Sequence, residues 1–388
     1  MRVWFSLHRA GLAYALAVVI TVPASAQIIQ EHATGLRAPA RLLSLPDGQL
    51  LVAEAGSGPN TGRVSLVDRD GRRFTVVDGL PSGLHGPRLD PSGPSGLVLD
   101  GRRLYVLIGN GDISLPGAGQ GSEVPNPSPA SPLFSAILLF DFATGDAPSL
   151  GHVLPASAHA TLARGDAVYL RNADGESVRV SRLVDFPDFV AEPRPDEPRH
   201  VRISNPYGIV GNNSRLTVVD ASMNLVWDVT IRPTLGEPRV LARLAPVPNT
   251  VAGLGPPMVE AVPAAIRVAG DDYLVSLLTG FPFGPGAASL WRIRRHTGEV
   301  ERIVGGLQTA VDVWPLTGTG ELSYVLEYSQ SFLTGGTGRL VHVNAATGTV
   351  APIADELEAP TGLARDTRTG DVFVTEFRRG RILRILTR

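Results

Sequence analysis

Pro39-Ala-Arg-Leu-Leu-Ser-Leu-Pro-Asp-Gly-Gln-Leu-Leu-Val-Ala-Glu54 contains one turn signal, Pro46-Asp47-Gly48, between two short apolar runs. That is the composition of a β-hairpin. The same plan returns as Pro360-Thr-Gly-Leu-Ala-Arg, a turn at Thr369-Gly370, and Val372-Phe-Val-Thr-Glu376. Between them lie four more copies, starting at Pro94, Pro206, Pro263 and Ala310. Each opens with Pro (once Ala), any residue, a third residue that is usually small, and an aliphatic. Each turns at Gly, Asp or Asn and ends on a second strand. Two further strands follow in each copy, as in Gly62-Arg-Val-Ser-Leu-Val with Phe74-Thr-Val-Val, or Ser289-Leu-Trp-Arg-Ile with Val300-Glu-Arg-Ile-Val. Turns at Asp70-Gly71, Thr297-Gly298 and Thr347-Gly348 join these pairs. Four short antiparallel strands repeated at this spacing are the signature of β-propeller blades.

The sequence therefore reads as an all-β, six-bladed propeller. The step from Pro94 to Pro206 is about twice the others, so blade two carries an insertion near residues 146–177 or a seventh blade lies there. That stretch lacks the Pro-x-Gly-aliphatic opening, which favours the insertion. The last copy supplies only three strands, ending at Arg381-Ile-Leu-Arg-Ile-Leu. Ile28-Ile-Gln-Glu-His-Ala can supply the fourth, closing the ring by pairing the two ends of the chain and covering the edges. No helix longer than about two turns is expected from this pattern.

Composition removes whole chemistries. The 388 residues include no Cys and no Lys, so all 35 cations are Arg against 37 acids, for a formal charge of −2. Thiol nucleophiles, disulfides, thiolate zinc sites, Schiff-base lysines and P-loops are excluded. Near-neutral charge without a basic tract argues against nucleic acid as a partner. At the N-terminus, Arg2, His8 and Arg9 precede the apolar run Ala10 to Val22, then Pro23 and the small residues Ala24-Ser25-Ala26. This is the anatomy of a signal peptide cleaved after Ala26, leaving 27–388 as one propeller domain, periplasmic or secreted, with no membrane span in the mature chain.

Ser204-Asn-Pro-Tyr-Gly208, Thr279-Gly-Phe-Pro-Phe-Gly284, Gly93-Pro-Ser-Gly-Leu97 and Ala359-Pro-Thr-Gly-Leu363 resemble the ScyD/ScyE family of exported six-bladed, TolB-like propellers, named after proteins linked to scytonemin biosynthesis in cyanobacteria. The resemblance implies the fold and export. It carries no established catalytic residues.

In a four-stranded blade the second-to-third loop and the blade-to-blade connection share one end of the ring. The long segments Gly109–Leu133, Thr279–Ala288, Tyr328–Gly338, Pro81–Gly93, Pro187–Ser204 and Pro246–Val262 all fall there. Most long loops lie on this rim, the exception being the insertion near 146–177 at the other end, and that marks it as the expected site. Glu54, Asp220, Glu327 and Glu376 end the second strand of blades one, three, five and six, and an acid there either serves the blade or joins a ring at the channel mouth. Blades two and four substitute Ile108 and Leu277, followed by Asn110 and Asp112 or by Thr279. Glu54, Asn205 and Asp220 supply the oxygen ligands of a Ca²⁺ or other divalent site. Tyr207, Phe281 and Phe283 are candidates to stack on a flat ligand. His85 is the best-placed general base, and no His spacing encodes zinc. Trp227, Trp291 and Trp314 read as blade core, and Ser95 lacks a nucleophile elbow.

Three functions follow as expectations. The first is binding of a small molecule or an envelope protein on the long-loop rim. The second is metal-assisted hydrolase, lactonase or lyase chemistry at the channel mouth, an analogy to other six-bladed propellers. The third is an assembly scaffold.

Overall fold

The computed structural model describes residues 28–86, 88–117, 123–143, 148–189, 203–232 and 235–387. Residues 1–27, which contain the expected signal peptide, and residues 118–122, 144–147 and 190–202 lie outside the described residues. Six blades surround a common axis, each built on four antiparallel strands. Every copy of the opening motif forms an innermost strand: Pro39–Ser44, Pro94–Asp100, Pro206–Gly211, Pro263–Ala269, Ala310–Pro315 and Pro360–Arg365. Blade six closes the ring. Its outermost strand is Ile28–Ala33, antiparallel to Arg381–Leu386, with Ile28 opposite Leu386.

The long step in blade two is an insertion, not a seventh blade. It leaves after the third strand, Ala136–Phe142, and returns at the fourth, Ser177–Asp185. On the way, His152–Val153 pairs in parallel with the outer strand of blade one, Arg73–Leu80. Helix α1 (Ala156–Ala163) follows, and Val168–Arg171 then pairs with Ser177–Asp185 as a fifth strand of blade two. The insertion thus straps two neighbouring blades together. Leu154, Leu162 and Leu170 drop into the apolar layer between them. His159 of α1, 2% exposed, sits between Ser131 Oγ at 3.0 Å and the Gly79 carbonyl at 3.1 Å. Among the described residues no helix is long and apolar enough to cross a membrane.

Apolar layers lie between successive blades because strand residues alternate between the two faces of each sheet. Val98, Leu107, Leu139, Ile209 and Val218 fill the layer between blades two and three, for example. Trp227, Trp291 and Trp314 are partly buried and pack against these layers.

The small third residue of the opening motif is set by how close the inner strands come. A Cβ on Gly96 would lie 2.7 Å from Ile209 of blade three, and one on Gly362 would lie 2.9 Å from the Arg41 Cα of blade one. Each inner strand also shifts register just after its first residue, as between Pro39 and Arg41 or Pro206 and Gly208. Such a bulge breaks the ladder and re-aims the residue it contains. In blades two to six the residues so placed are Ser95, Tyr207, Ala264, Val311 and Thr361, and their carbonyl oxygens converge on the axis.

Candidate functional site

The third motif position is Gly or Ala in blades two, three, four and six, but Arg41 in blade one and Asp312 in blade five. Those two exceptions build the centre of the ring. Arg41, 3% exposed, sends its guanidinium to the axis and donates to a bulge carbonyl of each other blade. The acceptors are Ala264 at 2.9 Å, Thr361 at 3.1 Å, Val311 at 3.3 Å, Tyr207 at 3.4 Å and Ser95 at 3.5 Å. The planar fork of Arg, with its five N–H donors, suits a ring of acceptors as the single point of a Lys ammonium would not.

Asp312, fully buried, lies 2.9 Å from Arg41 Nη1 and 3.0 Å from Arg267 Nη2. It also accepts the backbone N–H of Leu363 at 2.9 Å. Arg267 donates onward to the Leu363 carbonyl at 3.1 Å and lies 5.7 Å from the Trp314 ring centre. Burial is the largest influence on the Arg267 guanidinium and pushes its pKa down, against the raising effect of Asp312. Two arginines and one aspartate therefore plug the axis with one surplus positive charge.

The plug divides the axial space. On the short-turn side is a cavity of about 270 Å³ walled by aliphatic residues, Arg41, Arg267 and Trp314. On the long-loop side is a blind pocket of about 210 Å³. Tyr207 bridges plug and pocket: it lines the pocket and holds its ring 5.0 Å from the Arg41 Cζ. Tyr328 and Phe377 add aromatic wall, while Asn110, Asn205, His85 and Asp90 bring polar groups from three connecting loops. Burial pushes the Tyr207 and Tyr328 phenols up, so both keep their protons at neutral pH and remain O–H donors.

Of the residues singled out in the sequence, Asn110, Asn205, Tyr207 and His85 meet in this pocket. The four strand-ending acids do not form a ligand-facing ring, and that expectation is corrected. Glu54, Asp220, Glu327 and Glu376 are at most 1% exposed. Each accepts a backbone N–H from the segment entering its own blade, from Arg37, Asn205, Gln308 and Glu358 respectively. In blades one, five and six the acid also pairs with the Arg opposite it on the third strand: Arg63, Arg339 and Arg381. In blade three the acid takes Ser204 Oγ at 2.6 Å and Trp227 Nε1 at 3.3 Å instead. With no cation beside it, burial pushes the Asp220 carboxyl upward despite these donors. Each acid is a clasp locking the blade's entry to its second strand. A buried carboxylate needs its acceptors filled, and these are.

Asp112 is likewise a loop brace, accepting the Ala130 N–H at 2.9 Å. Thr279 is buried, and its backbone N–H donates to the Ala261 carbonyl at 3.2 Å. Phe281 is 43% exposed and stands edge-on to Phe283, which packs on Phe332 at 4.1 Å; Phe332 leads to Tyr328 at 5.6 Å. These rings form a row from the rim of blade four to the pocket wall, apart from Tyr207. The expected cation residues are divided: Glu54 sits in the clasp of blade one and Asp220 in that of blade three, where it accepts the Asn205 N–H at 2.9 Å, while Asn205 also lines the pocket. Among the described residues no group of three or more His, Asp or Glu side chains is gathered to hold a metal ion.

Residues that the sequence reading passed over are Arg41, Asp312 and Arg267 in the plug, and Tyr328, Phe377, Ser92 and Asp90 in the pocket. For the first two a signal was present, a charged residue where the repeat otherwise has Gly or Ala.

No model of a known protein family matches this chain, and no curated protein matches it. Similar solved structures include a gluconolactonase from Xanthomonas campestris, with 9% identity, 93% of this chain and 89% of that one covered, and a TM-score of 0.49. A putative 6-phosphogluconolactonase from Bacteroides uniformis has 12% identity, coverages of 89% and 79%, and a TM-score of 0.44. The β-propeller domain of Cps50 (Swd1) from Myceliophteria thermophila has 11% identity, coverages of 93% and 100%, and a TM-score of 0.41. At such identity and overlap these likenesses carry nothing about ligand or chemistry.

Proposed function

We propose that this chain is an exported propeller of the ScyD/ScyE type that binds a small molecule in the axial pocket on its long-loop rim. The observation that supports this most is the pocket's construction. It is blind because Arg41 fills the axis, and it combines aromatic walls with converging polar side chains, the usual make-up of a small-ligand site. Its volume, below the usual range for drug-sized ligands, suits a ligand of a single ring. Metal-assisted hydrolase, lactonase or lyase chemistry at the channel mouth is the alternative reading.

The test is ligand-observed NMR of the purified chain against single-ring compounds, repeated on Ala55→Phe. Ala55 is 3% exposed and lines the pocket, so a phenyl ring there occupies the ligand's space. Compounds that bind the native chain should lose their signal with Ala55→Phe and keep it with Leu333→Ser, an exposed change elsewhere on the rim. Undiminished binding in a folded Ala55→Phe protein would place the site elsewhere and end the axial-pocket reading. Activity requiring a stoichiometric divalent ion would replace it with the hydrolase alternative.

A further inference from the structure

The pocket contains a buried donor with nothing to donate to. Asn110 is 2% exposed, and its Nδ2 has no hydrogen-bond partner. The other half of the amide is engaged. Ser92 Oγ accepts from the Gly111 N–H at 3.0 Å and donates its own proton to Asn110 Oδ1 at 2.7 Å. An unpaired buried N–H is costly unless a ligand or water completes it. His85 also lines the pocket, and its Nδ1 is buried and unpartnered, a donor in one tautomer and an acceptor in the other. Asn205 brings an acceptor to the same pocket: its Oδ1 would lie 3.4 Å from a Cβ on Gly109. The phenols of Tyr207 and Tyr328 stay protonated, as argued above. Asn110 Nδ2 and the two phenols are donors, and a partner that meets them brings acceptor oxygens.

Charge sharpens the requirement. Beneath the pocket, Arg41 and Arg267 face the single negative charge of Asp312. At the lip, Arg88 is exposed and Arg378 lies 3.9 Å from Asp90. Among the described residues Asp90 is the one carboxylate lining the pocket, about half exposed at the lip, and Glu123 lies 3.8 Å from the pocket residue His85. Glu358, beside the lip, is already engaged by Arg379. A buried surplus cation in low dielectric attracts an anion over many ångströms more strongly than solvated charges do.

Building on the pocket reading, we propose that the ligand is a single-ring carboxylate. One carboxylate oxygen accepts from Asn110 Nδ2, and the ring lies among Tyr207, Tyr328 and Phe377. Donors and surplus positive charge lie toward the floor and the Asn110 wall, and apolar ring faces line the remaining sides, so the acid group points inward.

The experiment titrates the purified full chain with benzoate, benzyl alcohol and benzamidine, following each by ligand-observed NMR at low salt. Benzoate should bind saturably and at least tenfold more tightly than the neutral or cationic probe. In Asn110→Asp, Ser92 can still donate to the side chain, but the free donor becomes a charged acceptor. Benzoate affinity should fall at least tenfold there while benzyl alcohol changes less than threefold. If that variant does not fold, Asn205→Asp applies the same reversal from blade three, and the probe preference of the native chain stands as a test by itself. Equal or tighter binding of benzamidine or benzyl alcohol overturns the carboxylate assignment. So does undiminished benzoate binding by folded Asn110→Asp. If those two probes bind and Ala55→Phe abolishes them, the pocket reading survives without the carboxylate. If none of the three binds the native chain, both readings fall.

Discussion

Changing Asp312 to Asn tests the plug most severely, because the side chain keeps its shape and loses only its charge. Asp312 is fully buried and is the counter-ion for two arginines whose side chains are 4% and 16% exposed. Asparagine leaves both guanidiniums charged and mutually repelling at the axis. Breaking a buried pair by removing one partner costs about 3–5 kcal/mol. Arg41→Met is predicted to cost less, about 1–3 kcal/mol. It leaves Asp312 matched to Arg267, and the bulge carbonyls it abandons can be reached by water from the blind pocket. Adding Arg41→Met to Asp312→Asn removes one of the two stranded cations. The double variant should therefore lose less than the sum of the singles, by at least about 1 kcal/mol. Urea unfolding followed by tryptophan fluorescence is the assay, since Trp314 sits beside Arg267, with midpoints converted through the slope. An Asp312→Asn cost under about 1 kcal/mol, or a larger loss for Arg41→Met than for Asp312→Asn, would refute the account of the plug.

Glu54→Gln should lower the unfolding midpoint by the equivalent of about 2–4 kcal/mol, because it strands Arg63 beside an uncharged partner. Binding of any pocket ligand should stay within twofold of native; a selective loss of binding at native stability would return Glu54 to the site. His159 gives a pH signature. Burial lowers its pKa below the ordinary 6.5, the Gly79 carbonyl opposing this less strongly. The native state therefore holds its proton more weakly than the unfolded chain, and the stability it contributes is complete above about pH 6.5. That contribution drains away as pH falls from there through the folded value. His32 and His152 act in the same direction and Asp220 in the opposite one, so the readout is the difference between native and His159→Gln. The gap in urea midpoint should be widest near pH 8 and narrow toward pH 5; a gap that widens with acid contradicts the assignment. Protein recovered from the periplasm of a Gram-negative host should begin at Gln27, and a cytoplasmic product beginning at Met1 would remove export from the proposal.

The blade count and the closure through Ile28–Ala33 were readable because each rests on local rules. Turn chemistry, strand alternation and a repeat length need no knowledge of distant partners. The strand-ending acids show where such reading stops. Their recurrence was visible, but whether a carboxylate faces a channel or its own blade depends on which N–H and which Arg it meets. The register opposing Glu54 to Arg63, Glu327 to Arg339 and Glu376 to Arg381 appears only once the hairpins are paired. Arg41 was harder still, since it bonds residues of five other blades, as far as 320 positions along the chain. Its one sequence trace is the break in the small-residue rule at the motif's third position, shared with Asp312. Tyr328 and Phe377 each follow a strand-ending Glu, so the same rim geometry that drew attention to the acids placed these rings at the mouth instead.

A crystal structure of residues 27–388 at a resolution that separates water from bound ions tests the central claim most directly. The account predicts the Arg41 guanidinium on the axis, within hydrogen-bonding distance of bulge carbonyls from the five other blades, with Asp312 between it and Arg267 and a blind pocket above Tyr207. An axis occupied by a metal ion, or a continuous water-filled tunnel with Arg41 turned aside, would contradict it.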